Sequence, residues 1–312
     1  MPAPRPLVIG SRGSRLALWQ AGWVKDRLEE RGQAARIEEI RTSGDRFHDR
    51  SLAAIGGEGL FVKEIEEAIL AGEVDLAVHS LKDLPTRQPE GLLLACVPAR
   101  EDPRDLLVAR SARSIKDLQP GSVVGTGSPR RACQIRNLRP DLTILDLRGN
   151  VDTRVAKWEK GDYDAIILAS AGVRRLGLVL SASPIPFSEM LPAVGQGALA
   201  IETRADDALA RSAVAPLHHP PTAAAVASER AFLRGLGGGC RAPIAATAEI
   251  RGDRLVLLGL AADPEGRRVL RDRSEGAASE AEALGLGLAA ILLERGAGEL
   301  LASRVPEGGG TA

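Results

Sequence analysis

Ser122-Val123-Val124-Gly125-Thr126-Gly127-Ser128-Pro129-Arg130-Arg131 reads as a short apolar strand, a glycine turn and the opening of a helix that runs to Leu138. Ser128 suits the N-cap and Pro129 the first helical position. A strand feeding a helix this directly is the building unit of an α/β fold. Free backbone N–H groups at such a turn attract anions. Two arginines in the first turn oppose the helix dipole, which makes sense when an anion lies between them. No Lys follows the glycines, so the turn is not a nucleotide P-loop.

The same alternation extends in both directions. Upstream, strands are expected at Leu7–Ile9, Arg36–Arg41, Val74–His79 and Leu92–Val97. Helices are expected at Leu16–Glu30, closed by Gly32, and at Leu60–Ala71, with Phe61, Ile65 and Ile69 on one face. Pro98 to Pro103 breaks the pattern. Strands then follow near Leu106–Ala109, Leu142–Leu147 and Ala165–Ala169, with helices at Val151–Lys160 and Ala171–Leu176. Pro192 to Gly197 is a second break. This grammar predicts mixed, mostly parallel sheets.

The last third differs. A helix over Thr222–Leu236 ends in a glycine run. Strands at Ala245–Ile250, Leu255–Ala262 and Arg267–Arg273 are joined by hairpin-type turns at 251–254 and 263–266, which predicts a three-stranded antiparallel sheet. A helix over Ser279–Glu294 covers it. Its apolar run, Ala283 to Leu293, reads as buried.

The composition excludes several classes. The 312 residues carry 41 basic and 41 acidic side chains, so the excess of cations that a general nucleic-acid binder needs is missing. No apolar run approaches the ~20 residues of a membrane span. Met1 to Pro6 lacks the apolar core of a signal peptide. Cys96, Cys133 and Cys240 are too few for a disulfide framework, and the four histidines show no metal-ligand spacing with them. A cytoplasmic protein without metal is expected. The basic residues are 35 Arg and only 6 Lys, and Arg holds carboxylates bidentately.

Many of these arginines fall where strands end. Arg12 follows the first strand, Arg148 follows Leu147, Arg154 lies one turn into the next helix, and Arg175 follows the strand ending at Ala169. Ligands of open α/β sheets bind beyond the carboxyl ends of strands, so this set points to a ligand with several carboxylates. Lys82 and Asp83 emerge at the end of the buried strand 74–79, where a carboxylate could face a developing cation or move protons; a turn with a local ion pair fits the pattern equally well. His79 reads as packing or support. Cys240, in Gly237-Gly238-Gly239-Cys240-Arg241, is the best nucleophile or attachment candidate.

Together these segments resemble the porphobilinogen deaminase family, also called hydroxymethylbilane synthases. The resemblance rests on Ser11-Arg12-Gly13-Ser14-Arg15-Leu16-Ala17, Thr42-Ser43-Gly44-Asp45, Gly59-Leu60-Phe61-Val62-Lys63-Glu64, His79-Ser80-Leu81-Lys82-Asp83-Leu84-Pro85 and Gly125 to Arg131. Leu147-Arg148-Gly149-Asn150-Val151-Asp152-Thr153-Arg154, Gly195-Gln196-Gly197-Ala198 and Gly238 to Pro243 complete it. It implies head-to-tail condensation of four porphobilinogen molecules into linear hydroxymethylbilane, with loss of ammonia. It implies a dipyrromethane cofactor held by a thioether to Cys240, with Asp83 as the catalytic carboxylate. It further implies Lys82, Thr126, Ser128, Arg130, Arg131 and Arg148 as cofactor contacts, and Arg12, Ser14, Arg154 and Arg175 as substrate contacts. Glu58 stands where many members have Lys, so that contact does not carry over.

The fold implied is two lobes like those of periplasmic binding proteins plus a small α+β domain. Domain 1 would be 1–97 plus 198–215, domain 2 103–191 and domain 3 219–312, with hinges at 98–102 and 192–197. A monomer is expected. The alternative is a two-lobed carboxylate-solute-binding protein without catalysis.

Overall fold

The computed structural model describes residues 5–42, 62–238 and 242–302. Cys240, Glu58, Phe61 and the motif at 43–45 therefore lie outside the described residues.

The chain opens with β1 (Leu7–Ser11), α1 (Arg15–Glu29) and β2 (Ala35–Glu39), followed by α2 (Lys63–Leu70), β3 (Leu76–Ser80) and β4 (Leu92–Cys96). The Ser14 hydroxyl caps α1 by accepting from Ala17 N–H. Ile65 and Ile69 bury one face of α2 against the sheet, as their spacing requires. The chain then enters β5 (Asp105–Ala109), β6 (Val123–Gly125), α3 (Pro129–Leu138), β7 (Thr143–Leu145), α4 (Val151–Glu159), β8 (Ala165–Ala169), α5 (Ser170–Arg175) and β9 (Ala182–Pro184). β10 (Leu199–Arg204) returns to the first sheet, whose order is β2-β1-β3-β10-β4; the second sheet runs β7-β6-β8-β5-β9.

Each sheet is more evenly mixed than alternation predicts. β1 pairs in parallel with β2 and β3, whereas β10 is antiparallel to both of its neighbours. In the second sheet β6 is parallel to β7 and β8, and β5 is antiparallel to β8 and β9. The interior strand of each lobe that is antiparallel to both neighbours, fourth of five in the order, is the one that has just crossed from the other lobe. Right-handed strand–helix–strand units make only parallel pairs; a strand arriving from outside has no such constraint.

The two crossing segments touch. Gly197 has φ +87, and a Cβ there would stand 2.4 Å from Glu101 O, so only glycine lets the second crossing segment lie on the first.

After α6 (Ala208–Val214) comes the third unit, built of α7 (Pro220–Gly235), β11 (Ile244–Arg251), β12 (Arg254–Ala262), β13 (Val269–Ala277), α8 (Ala281–Glu294) and α9 (Ala297–Ala302). Its sheet is antiparallel, in the order β11-β12-β13. Phe232, Leu257, Leu288 and Leu292 fill the space between α7, α8 and the sheet. Two expectations shift. The third strand starts at Val269 because 263–268 is a longer loop, closed by the Asp263 carboxylate accepting from the N–H groups of Glu265, Arg267 and Arg268. And α8 is only half-buried: Leu286, Ile291 and Leu293 stay exposed.

This unit grips the segments that connect the two lobes. Glu229 of α7, fully buried, accepts two hydrogen bonds from the Arg100 guanidinium, and one each from Gly195 N–H and Ala248 N–H at 2.7 Å. No helix among the described residues is long and apolar enough to cross a membrane.

Candidate active site

The carboxyl ends of the parallel strands of both lobes face one cavity of about 350 Å³. Lobe 1 contributes Arg12 and Ser14 from the turn after β1, and Lys82 and Asp83 from the short 3-10 turn after β3. Lobe 2 contributes Arg131 from α3, Arg148 from the loop before α4, Arg154 from α4 and Arg175 from α5. These are eight of the residues that the sequence places at the site. Strand-end position carries that prediction: it is a local property, and the sheets collect the ends on one side.

The cavity is short of anions. Among the described residues Arg12, Arg15, Lys82, Arg131, Arg148, Arg154 and Arg175 face only Asp83 and Asp152. Burial, with the charges of Arg131 and Arg148 added, brings the Arg154 guanidinium down to about 10. Burial also brings Arg175 down to about 10 and lowers Lys82, whose neighbour Asp83 opposes that shift. Cations crowded this way favour any ligand that brings carboxylates.

Thr126, Ser128 and Arg130 do not line the cavity among the described residues. Ser128 holds the N-cap position of α3 without a capping side-chain hydrogen bond; its N–H instead donates to Thr126 Oγ1 at 3.2 Å. A Cβ at Gly127 would stand 2.8 Å from Asp146 Oδ1 and 3.1 Å from Arg148 Nε. Glycine thus lets this turn lie against the Arg148 loop.

The anion between Arg130 and Arg131 is the protein's own Asp105. Arg130 Nη1 donates to Asp105 Oδ2 at 2.7 Å and to Leu191 O at 2.7 Å. Arg131 donates to Asp105 Oδ1 through Nε at 3.1 Å and Nη2 at 2.7 Å, and to Ile167 O through Nη1. Gln196 Nε2 adds a bond to Asp105 Oδ1 at 2.9 Å. Despite full burial, the two guanidiniums hold the Asp105 carboxyl far below the usual carboxylate range. Arg131 keeps one N–H on each terminal nitrogen for a ligand, since each terminal nitrogen carries two.

Several lining residues were not marked by the sequence. Gln20 donates to Ser80 Oγ at 2.9 Å, tying α1 to the end of β3. Gln196 and His79 also line the cavity. Arg15 of lobe 1 pairs with Asp152 of lobe 2 across the cleft at 3.0 Å. Arg175 donates to Gly197 O at 2.7 Å and lies over the Trp19 ring. Cys96 and Cys133 are free and buried, with both thiols pushed up to about 12, so neither offers a thiolate. Among the described residues no group of His, Cys, Asp and Glu is arranged to hold a metal ion.

Comparison with known proteins adds three findings. Residues 7–212 match the family described as "Porphobilinogen deaminase, dipyromethane cofactor binding domain", and residues 223–294 match "Porphobilinogen deaminase, C-terminal domain". The chain is 50% identical over 303 residues to a porphobilinogen deaminase of Geobacter metallireducens, covering 96% of this chain and 95% of that one. It is 51% identical over 302 residues to one of Thermus thermophilus, covering 96% and 99%. Among solved structures, a nutrient-binding protein from Burkholderia cenocepacia bound to methionine is similar at 14% identity, with a TM-score of 0.42 over 69% of this chain and 93% of that one. The two family matches, the half-identical relatives and the arginine-lined cleft agree: the chain belongs to the porphobilinogen deaminase family.

Proposed function

We propose that Asp83 is the reacting carboxylate of this cleft and that the surrounding cations hold the carboxylates of substrate and cofactor. The family's activity is a transferase reaction: four porphobilinogen molecules condense head to tail, with release of ammonia, into linear hydroxymethylbilane. One observation carries the residue assignment. An exposed carboxylate, Asp83, stands among a large excess of guanidinium groups at the meeting point of two lobes.

The residues present fit a dipyrromethane. Each pyrrole bears an acetate and a propionate, and the cavity supplies cations in excess of its own carboxylates. When bound, that group supplies the primer to which further pyrroles are joined. Lys82, Arg131 and Arg148 would hold it by its carboxylates, with Thr126 and Ser128 shaping the adjoining turn. Arg130 supports them by fixing Asp105. Arg12, Ser14, Arg154 and Arg175 then serve the incoming porphobilinogen.

The chemistry follows from charge. Loss of ammonia from the aminomethyl group leaves a methylene-pyrrolenine cation, and the Asp83 carboxylate stabilises it. The arginines fix the ring by its acid side chains, so the reacting carbon is oriented before the C–N bond breaks. We place the covalent attachment at Cys240, since the thiols of Cys96 and Cys133 are buried and protonated. We keep the three domains and two hinges expected from the sequence; that β10 joins the first sheet and β5 to β9 form the second supports this division. Free buried thiols suit a reducing cytoplasm. We keep the reading of a monomer, and zero net charge speaks against a nucleic-acid partner.

The intact mass of an active preparation tests the attachment. It should exceed the sequence mass by two deaminated porphobilinogen units. Cys240→Ser should lose the excess while Cys96→Ser and Cys133→Ser keep it. An unmodified mass from active protein would overturn the assignment.

A further inference from the structure

Lobe 1 hides a cluster of titratable groups that the roles above leave unused. Glu202 of β10 stands opposite Ala77 of β3, and Ala200 opposite His79. Glu202 and His79 are therefore diagonal neighbours on one sheet face, the face covered by α2, which brings Glu66. Glu202 is fully buried, His79 is 5% exposed and Glu66 9%. His79 Nε2 lies 3.4 Å from Glu202 Oε2. Yet among the described residues no hydrogen bond satisfies that nitrogen, either Glu202 oxygen or Glu66 Oε1. Buried carboxylates elsewhere in the protein, at Asp105 and Glu229, are saturated with donors.

Two carboxylates and an imidazole sealed from water cost least when they carry no net charge. That requires two protons shared among the three groups. Burial, and next the charge of Glu202, raise the Glu66 carboxyl, with His79 opposing. Glu202 and His79, side by side at 3.4 Å, are placed to pass a proton between them without changing the net charge of the cluster. His79 also lines the catalytic cavity, and the strand that carries it runs directly into the Lys82–Asp83 turn.

We propose that His79, backed by Glu202 and Glu66, lends the proton with which the amine departs and recovers the proton that the alkylated ring carbon releases. The proposal rests on the activity and on the Asp83 role given above. The Asp83 carboxylate is placed to face the cation, and a second group beside it divides the work of charge stabilisation and proton transfer. The balance closes in one cycle. The imidazolium N–H proton passes to the amine nitrogen, the C–N bond breaks with its electron pair on nitrogen, and ammonia leaves. After the new C–C bond forms, the ring C–H bond breaks, its electron pair restores the aromatic ring, and the proton returns to His79. The other charged groups at this end of β3 are Lys82 and Asp83, and Glu67 of α2 acts on Glu66 from outside the cluster.

The experiment uses holoenzyme whose cofactor mass has first been verified, so that failure of cofactor attachment is read separately. Wild-type holoenzyme should show an infrared band of a protonated carboxyl at neutral pH, and Glu66→Gln should lose it. His79→Gln should lower kcat about 10²-fold or more with KM within about two-fold, and abolish the alkaline limb of the kcat–pH profile. Glu202→Gln should move that limb to lower pH, because the imidazolium loses its counter-charge. If His79→Gln with intact cofactor keeps the wild-type kcat and alkaline limb, the relay is overturned and Asp83 must move both protons. Absence of the carboxyl band in wild type overturns it equally, and that measurement stands even if a His79 variant fails to fold.

Discussion

The two lobes share one strand order and treat the same problem in opposite ways. In each, the strand that has just crossed from the other lobe brings a fully buried carboxylate into the sheet: Asp105 on β5 and Glu202 on β10. Asp105 accepts from Arg130, Arg131 and Gln196. Glu202 accepts from none of the described residues; His79 Nε2 stands 3.4 Å away and Glu66 approaches from α2. A saturated buried anion is rigid and locks the arginines of lobe 2 in place. An unsaturated one keeps a proton within reach. The difference assigns holding to lobe 2 and reaction to lobe 1, where Asp83 stands.

The sharpest way to break that division is at Asp83. Asp83→Asn keeps the shape and removes the charge, so single-turnover ammonia release should fall about 10²- to 10⁴-fold with the cofactor mass retained. Arg148→Gln, on the holding side, should instead fail in cofactor assembly or stall elongation. Arg251→Gln, in the exposed hairpin turn of the third unit, is the control. If that control is as damaging, position at strand ends does not mark the site.

A second test compares the buried carboxylates directly. Asp105→Asn leaves two buried guanidiniums without their counter-charge and should cost about 3–5 kcal/mol of unfolding free energy in a denaturant titration. Glu202→Gln breaks no hydrogen bond and should change stability by less than about 1 kcal/mol. Equal losses would erase the contrast.

Acid should separate the lobes more gently. The Asp105 carboxyl is depressed in the folded state. Its stabilisation is present above the unfolded value of about 3.9 and is lost as pH falls through the folded one. Glu66 is raised. Its stabilisation is full below the unfolded value and is lost as pH rises through the folded one. Hydrogen exchange resolved by lobe should therefore show lobe 2 loosening first on acidification. Earlier loosening of lobe 1 would contradict both assignments.

The smallest effect belongs to the pair that bridges the lobes. Arg15 and Asp152 meet at 3.0 Å, with side chains 64% and 41% exposed. Such pairs contribute less than about 1 kcal/mol and are screened by salt. Asp152→Asn should raise KM by less than about five-fold, and added salt should shrink the difference. A larger, salt-independent change would make this pair part of the binding site itself.

Much of this was legible in the chain. The span of α3, Pro129 to Leu138, follows from the turn chemistry before it. The cavity positions of Arg12, Lys82, Asp83, Arg131, Arg148, Arg154 and Arg175 follow from where each stands relative to a strand end. These properties depend on neighbours within a few residues, which the sequence displays directly.

Tertiary structure alone decided how charges are paired and which faces are covered. The partner of Arg130 lies 25 residues away, and Glu202 reaches His79 only because a returning strand is inserted beside β3. Loop 263–268 is set by docking onto α3, where Asn137 donates to Gly266 O at 2.9 Å. The exposed side of α8 is open because the unit that buries its other face has no second layer to offer. A side chain's type and period record what it can do locally. The partner that meets it across the fold depends on chain crossings that no local pattern encodes, and in a low-dielectric interior that partner determines whether a buried carboxylate is locked or holds a proton.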